Sequence, residues 1–140
     1  LPQVSEAESP ERVAGMPENG LGFAYFDPSA AASKIVVSAS PDGLHYWLKL
    51  ESAKERELVY ETFLMSGESV SIPLPAGNYR IKVASGEHWL SARELFGEDT
   101  QYVLLGGVFS AREKGVYESI DLRRRSGGNL RLRKITGNEF

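Results

Sequence analysis

From Leu21 onward, apolar residues return at every second position, in runs separated by clusters of turn-forming residues. A strand sends successive side chains to opposite faces, so a period of two commits the chain to half-buried β-structure. Ile35, Val37 and Ala39 alternate with Val36 and Ser38, and Tyr46, Leu48 and Leu50 alternate with His45, Trp47 and Lys49. After the polar turn Ser52 to Glu57, the run Leu58 to Met65 is largely apolar on both faces, which marks a central strand. Val70, Ile72 and Leu74 follow; then Tyr79, Ile81 and Val83 oppose Arg80 and Lys82, a strand with one solvated face.

The turns suggest how these runs pair. Gly77-Asn78 is expected to close a hairpin between the run ending at Leu74 and the run starting at Tyr79, with glycine supplying a positive φ. Tyr102 to Phe109 is interrupted by Gly106-Gly107, and Val116 to Leu122 and Asn129 to Ile135 are expected to form a C-terminal hairpin across Ser126-Gly127-Gly128-Asn129. One segment breaks the strand rhythm. Ser91-Ala92-Arg93-Glu94 has capping-box spacing and Gly97 follows as a terminator, which gives one short helical turn from Ser91 to Phe96. Trp89, Leu95 and Phe96 would then close one end of the fold. The expected class is all-β, an antiparallel β-sandwich of about 7 to 9 strands, with a small β-barrel as the alternative.

Residues 1–20 carry Glu6, Glu8, Glu11 and Glu18 against Arg12 alone, with Pro2, Pro10 and Pro17 among them, and read as a flexible acidic linker before a single domain at 21–140. The chain is 41% hydrophobic and 25% charged, values that exclude disordered and collagen-like classes. No apolar run reaches the roughly 18 residues of a membrane span. With no cysteine, disulfide scaffolds, thiolate metal sites and cysteine nucleophiles fall away.

The stretch Pro73 to Trp89 (PLPAGNYRIKVASGEHW), followed by Glu94 to Tyr102 (ELFGEDTQY), resembles a family of uncharacterised bacterial domains in which a PLGxYxLxYAxGxxWYG segment leads into HLFGPDTxY. Pro17-Glu18-Asn19-Gly20 resembles the family's opening PxNG, and Gly128-Asn129-Leu130-Arg131 its GNL turn, so the resemblance covers most of the chain from Pro17. It implies a compact β-rich domain, often found beyond a zinc ribbon or membrane segment, with no established activity. It also favours an extracytoplasmic location. The shared loop residues are Gly86, Trp89, Leu95, Phe96, Gly97, Asp99, Thr100 and Tyr102, and their expected role is structural. The sequence departs from the family at His88, Leu90 and Ser91, where relatives tend to carry Thr, Tyr and Gly, and at Glu98, where they carry Pro.

Chemistry-bearing residues are few. His45 and His88 are the only histidines, and a hydrolytic or metal centre would need Glu87, Asp42, Glu98 or Asp99 brought to them. No G-x-S-x-G elbow is present. Glu87, Glu98 and Asp99 offer hard oxygen ligands for calcium without the spaced pattern of a dedicated loop, and short side chains capping local backbone explain Asp99 and Thr100 more simply. Trp47 would stack on a sugar ring if it were exposed, whereas Trp89 reads as a plug. From Arg112 to Phe140 eight basic residues face four acidic ones, a balance of +4; the whole chain is −3, so the remainder carries −7. Arg123, Arg124, Arg125, Arg131, Arg133 and Lys134 form the candidate anion-binding patch, against the simpler reading of a solvated, edge-protecting face. Aromatics do not interleave with these arginines, which argues against nucleic acid and leaves an anionic glycan or a protein as partner.

These features suggest a non-catalytic binding or structural module without cofactor or metal. An anion- or polysaccharide-binding domain using the arginine patch is the alternative, and a hydrolase or metal-dependent enzyme is the rival class. Convergence of His88, Glu87 and Asp99 on an open pocket would favour catalysis; a loop filled by Trp89 and Phe96 would favour the module.

Overall fold

The computed structural model describes residues 15–112, 118–122 and 132–140. They form ten strands: β1 (Gly22–Ala24), β2 (Ser33–Ser38), β3 (His45–Ser52), β4 (Leu58–Leu64), β5 (Ser69–Leu74), β6 (Gly77–Gly86), β7 (Gln101–Leu105), β8 (Phe109–Ala111), β9 (Glu118–Asp121) and β10 (Leu132–Lys134). The larger sheet runs β1-β4-β3-β6-β7-β10, and β8 pairs with the first residues of β6. The smaller runs β5-β2-β9. The large sheet ends in β1 and β10 and does not close on itself, so the architecture is a sandwich and not the small barrel.

The period of two places the core between the sheets. Tyr46, Leu48 and Leu50 of β3 and Tyr79, Ile81 and Val83 of β6 meet Ile35 and Val37 of β2 and Val70, Ile72 and Leu74 of β5, all buried in one cluster. Within the small sheet Ile35 lies opposite Ile72 and Val37 opposite Val70, so both strands turn the same residues inward. β4 lies between β1 and β3, and its two-faced apolar run buries Phe63 and Leu64 on opposite sides.

Two expected hairpins are not formed. β5 and β6 lie in different sheets, and the chain crosses between them at Pro75-Ala76, where the Tyr79 hydroxyl donates to the Pro75 oxygen at 2.5 Å. Gly77 and Asn78 already belong to β6, paired with Ala111 and Ser110, so they make no tight turn. The apolar faces of the two runs meet across the core, which buries more surface than pairing edge to edge. Likewise β9 joins β2 in parallel, Val37 opposite Ile120, while β10 joins β7 antiparallel, Arg133 opposite Leu104. Ile120 and Leu122 complete the inter-sheet core. The β10 residues are all exposed, so that strand is held by its backbone ladder at a sheet edge. The turn expected between them lies outside the described residues.

The end loop keeps its cap and loses its helix. The Ser91 hydroxyl accepts from the Glu94 N–H at 3.0 Å, and the Leu95 N–H donates to the Ser91 oxygen at 2.6 Å. Leu95 then adopts φ +55°, which breaks any helix, and a 3-10 turn forms one step later at Gly97–Asp99. Of the expected leader, residues 1–14 lie outside the described residues. Pro17 is buried, and the Asn19 side chain accepts from Met65 N–H at 2.8 Å and donates to the Ser69 oxygen at 3.0 Å.

Candidate functional site

The outer face of a sandwich sheet ordinarily meets water, and that of the large sheet is covered over much of its area. Strand register sorts its side chains into two rows. Phe63, Trp47, Ala84 and Tyr102 are cross-strand partners on β4, β3, β6 and β7, and form an aromatic row. One step along, Phe23, Glu61, Lys49, Lys82, Leu104 and Arg133 form a row rich in charge. Glu51 and Arg80 lie opposite each other on the same face, one step further.

The loop after β6 covers the aromatic row. The Trp89 ring lies 5.3 Å from that of Trp47, 5.4 Å from Phe63 and 5.6 Å from Phe96, the last two edge-on, an arrangement favoured by the ring quadrupoles. Phe96 packs against Gly86 so closely that a Cβ there would stand 2.3 Å from the Phe96 Cβ, which only glycine allows. Thr100 Oγ1 accepts from the Phe96 N–H at 3.0 Å and donates to the Gly97 oxygen at 2.7 Å, fixing the turn at whose head Gly97 adopts φ +73°. Leu95 and Phe96 are buried with Trp47. Trp47 is wholly buried, so it offers no platform for a sugar ring.

The charged row and the step beyond it hold two buried carboxylates. Glu61 accepts from Trp47 Nε1 at 2.8 Å and from the Tyr25 hydroxyl. Glu51 pairs with Lys82 at 3.2 Å and Arg80 at 3.8 Å. Over these groups lies a strap, residues 136–140, formed as a turn in which the Thr136 oxygen accepts from the N–H groups of Glu139 and Phe140. Lys49 Nζ donates to the Phe140 backbone oxygen at 3.2 Å and sits 4.3 Å from the centre of its ring. Lys82 Nζ donates to the Glu139 backbone oxygen at 2.5 Å, and Arg133 lies 3.9 Å from the Glu139 carboxylate. Phe140 also packs on Tyr102, with ring centres 5.3 Å apart. Burial pulls the Lys49 ammonium below the usual lysine range, against the upward pull of Glu61, and Lys82 beside it acts in the same sense as burial.

At the rim of the end loop an open depression of about 330 Å3 is lined by Ser85, Glu87, His88, Asp99 and Gln101 over Leu44, Gly86 and Phe96. The two features posed as alternatives therefore coexist: the loop interior is filled by Trp89 and Phe96, and His88, Glu87 and Asp99 meet on its outer rim. Glu98 does not line the depression. Among the described residues no group of three His, Asp or Glu side chains is placed to hold a metal ion. His45 is near by, stacked on Phe63 with ring centres 5.9 Å apart, and its Nδ1 accepts from the Ser66 N–H at 3.1 Å. Burial, and then the proximity of His88, lower its pKa.

Of the expected anion patch, Arg133 and Lys134 stand exposed on edge strand β10, and Arg123, Arg124, Arg125 and Arg131 lie outside the described residues. The alternation alone assigns Arg80 and Lys82 to a solvated face and singles out neither Lys49, Glu51 nor Glu61. The one available signal was that Lys49 and Glu51 share the face of Trp47, an apolar residue too large to leave in water. No protein-family model, no curated protein and no solved structure matches this chain.

Proposed function

We propose that the chain is a non-catalytic binding module that holds an acidic partner against the outer face of its large sheet. The observation that supports this reading is the setting of Lys49. Among the described residues its partly buried ammonium donates to the Phe140 main-chain oxygen and sits over the Phe140 ring, while the oxygens of neighbouring Glu61 accept from Tyr25 and Trp47. A partly desolvated ammonium draws an anionic oxygen by Coulomb attraction as well as by its hydrogen bond, and that attraction is stronger where water is partly excluded. Lys82 and Arg133 continue the row toward the β10 edge, where Lys134 adds a further exposed cation.

The test is a thermal-shift titration with a heparin-like polyanion at low and moderate salt. Bound at about a hundredfold its dissociation constant, a ligand adds roughly 2.7 kcal/mol, enough to move the midpoint by several degrees. A shift that salt abolishes, and that shrinks in Arg133→Gln/Lys134→Gln, is the expected result. A flat response, or one unchanged by these substitutions, overturns the reading. A rival reading attaches to the rim depression, where His88, Glu87 and Asp99 offer acid–base groups. Hydrolysis of model esters or glycosides that His88→Gln abolishes would replace the module with an enzyme.

A further inference from the structure

The strap tells what the charged row is shaped to receive. Two successive main-chain oxygens, those of Glu139 and Phe140, take hydrogen bonds from two lysines that are direct cross-strand partners. The Phe140 ring fills the space between Lys49 and Tyr102, and the Glu139 carboxylate faces Arg133. Backbone, acid and ring are each met by a separate group of the sheet, so a segment folded into this turn is read at three points.

The strap is also built to leave. Its anchor is Ile135, buried in place, with its N–H donating to the Tyr102 oxygen at 3.0 Å. Beyond that point Thr136, Gly137, Asn138 and Glu139 are all exposed, and only Phe140 is partly covered. The hold consists of lysine hydrogen bonds, a long Arg133 ion pair and one half-buried ring packed on Tyr102 and Lys49, with no fully buried side chain beyond Ile135, as in segments that open at low cost. Lifting residues 136–140 would leave the inter-sheet core untouched and uncover Lys49, Lys82 and Tyr102 together.

We propose that Lys49, Lys82, Tyr102 and Arg133 form a docking groove for an acidic–aromatic peptide segment of a partner protein, and that residues 136–140 hold it closed by occupying it with Glu139-Phe140. This rests on the reading of the outer face as an anion-binding surface, and deepens it by naming the ligand class. An internal occupant acts at high effective concentration, so a free peptide meets a groove that is open only part of the time.

The experiment uses a fluorescent Thr-Gly-Asn-Glu-Phe peptide, blocked at both ends, titrated by polarisation into the full chain. Binding to Phe140→Ala should be at least about tenfold tighter than to the wild type, the internal competitor having lost its ring. Adding Lys82→Gln should remove most of that gain, and a control peptide with Gln and Ala in place of Glu and Phe should not bind. Equal affinity for wild type and Phe140→Ala overturns the proposal, as does undiminished binding to the Lys82→Gln double variant. If Phe140→Ala melts too low to titrate, the wild type is followed by NMR at millimolar peptide. Shifts at the Trp47 indole N–H and the Arg133 amide support the groove, and their constancy overturns it. A polyanion arm runs in parallel. Retained salt-sensitive polyanion binding with no peptide binding sinks the peptide groove and leaves the anion surface, and loss of both sinks both.

Discussion

Both faces of the large sheet bury large side chains, by different physics. On the inner face Leu48, Leu50, Leu64 and Ile81 are wholly buried against the aliphatic side chains of the small sheet. On the outer face Trp47 and Phe63 are just as buried, yet what covers them is a loop and a strap, and Glu51 and Glu61 lie in the neighbouring rows at 7% exposure each. Apolar burial is non-directional and scales with area; a buried carboxylate depends on particular donors in particular places. The inner face should therefore tolerate changes that keep volume, and the outer face should not tolerate changes that keep volume but lose a partner.

The largest expected effect lies on the inner face. Leu50→Ala removes a fully buried side chain from the centre of the inter-sheet cluster and should cost about 3 kcal/mol in urea denaturation. Leu50→Met keeps the volume and should cost under about 1.5 kcal/mol. If the two cost the same, the inner face is not the volume-governed core described above.

Next comes the seam between sheet and loop. Gly86→Ala places a methyl group 2.3 Å from the Phe96 Cβ, backbone-rooted atoms that cannot swing aside, and should destabilise by about 1–3 kcal/mol. Combining it with Phe96→Gly, which removes the clashing Cβ, should cost less than the sum of the two single changes, because the second makes room for the first. Strict additivity would separate the loop from the sheet and undo the account of how the aromatic row is covered.

The inner face was legible in the sequence because every fact that builds it is local. Tyr46, Leu48 and Leu50, or Tyr79, Ile81 and Val83, declare their shared face by spacing alone. The capping serine at 91 was legible for the same reason, since its acceptor geometry spans three residues. Which strand pairs with which was not. Gly77-Asn78 has turn chemistry and yet sits within a strand, because burying Leu74 and Ile81 across the sandwich outweighs a local turn preference. The charged row was illegible for a related reason: Glu61, Lys49 and Lys82 become neighbours through two strand pairings, and they are covered by residues 136–140, more than fifty positions from Lys82. Along the chain only Trp47, two residues before Lys49 on the same face, hints that this lysine is covered.

A smaller effect tests the outer face directly. Trp47→Phe keeps a large ring in the aromatic row but leaves Glu61 Oε1 without its indole donor, 2.8 Å away in the native protein. The expected cost is about 1–2 kcal/mol, the penalty for an unsatisfied buried acceptor. It should exceed the cost of Leu50→Met, and the space left by the smaller ring adds to it. If the order is reversed, the outer face is as indifferent to partners as the inner one, and the contrast between them fails.

The smallest expected effect is a pH dependence at the loop end. His45 accepts the Ser66 N–H at Nδ1, so its neutral form is the one the fold uses, and burial followed by the nearby His88 lowers its pKa from the ordinary 6.5. Below pH 6.5 the unfolded chain takes up a proton that the native protein does not, so stability present above that value is lost as the pH falls toward the lowered native pKa, and becomes level beneath it. Melting temperatures should accordingly fall as the pH drops below about 6.5, whereas the depressed Asp27 carboxyl acts only below its ordinary 3.8. His45→Gln keeps an acceptor for Ser66 and removes the titration, so its midpoint should be flatter across this range. His88→Gln removes the second cause and keeps the first, and should reduce the slope without abolishing it. A wild-type slope that survives His45→Gln would place the acid-sensitive group elsewhere. A slope abolished by His88→Gln alone would mean that the rim depression, and not the packing of His45 on Phe63, governs the acid response of this end of the sandwich.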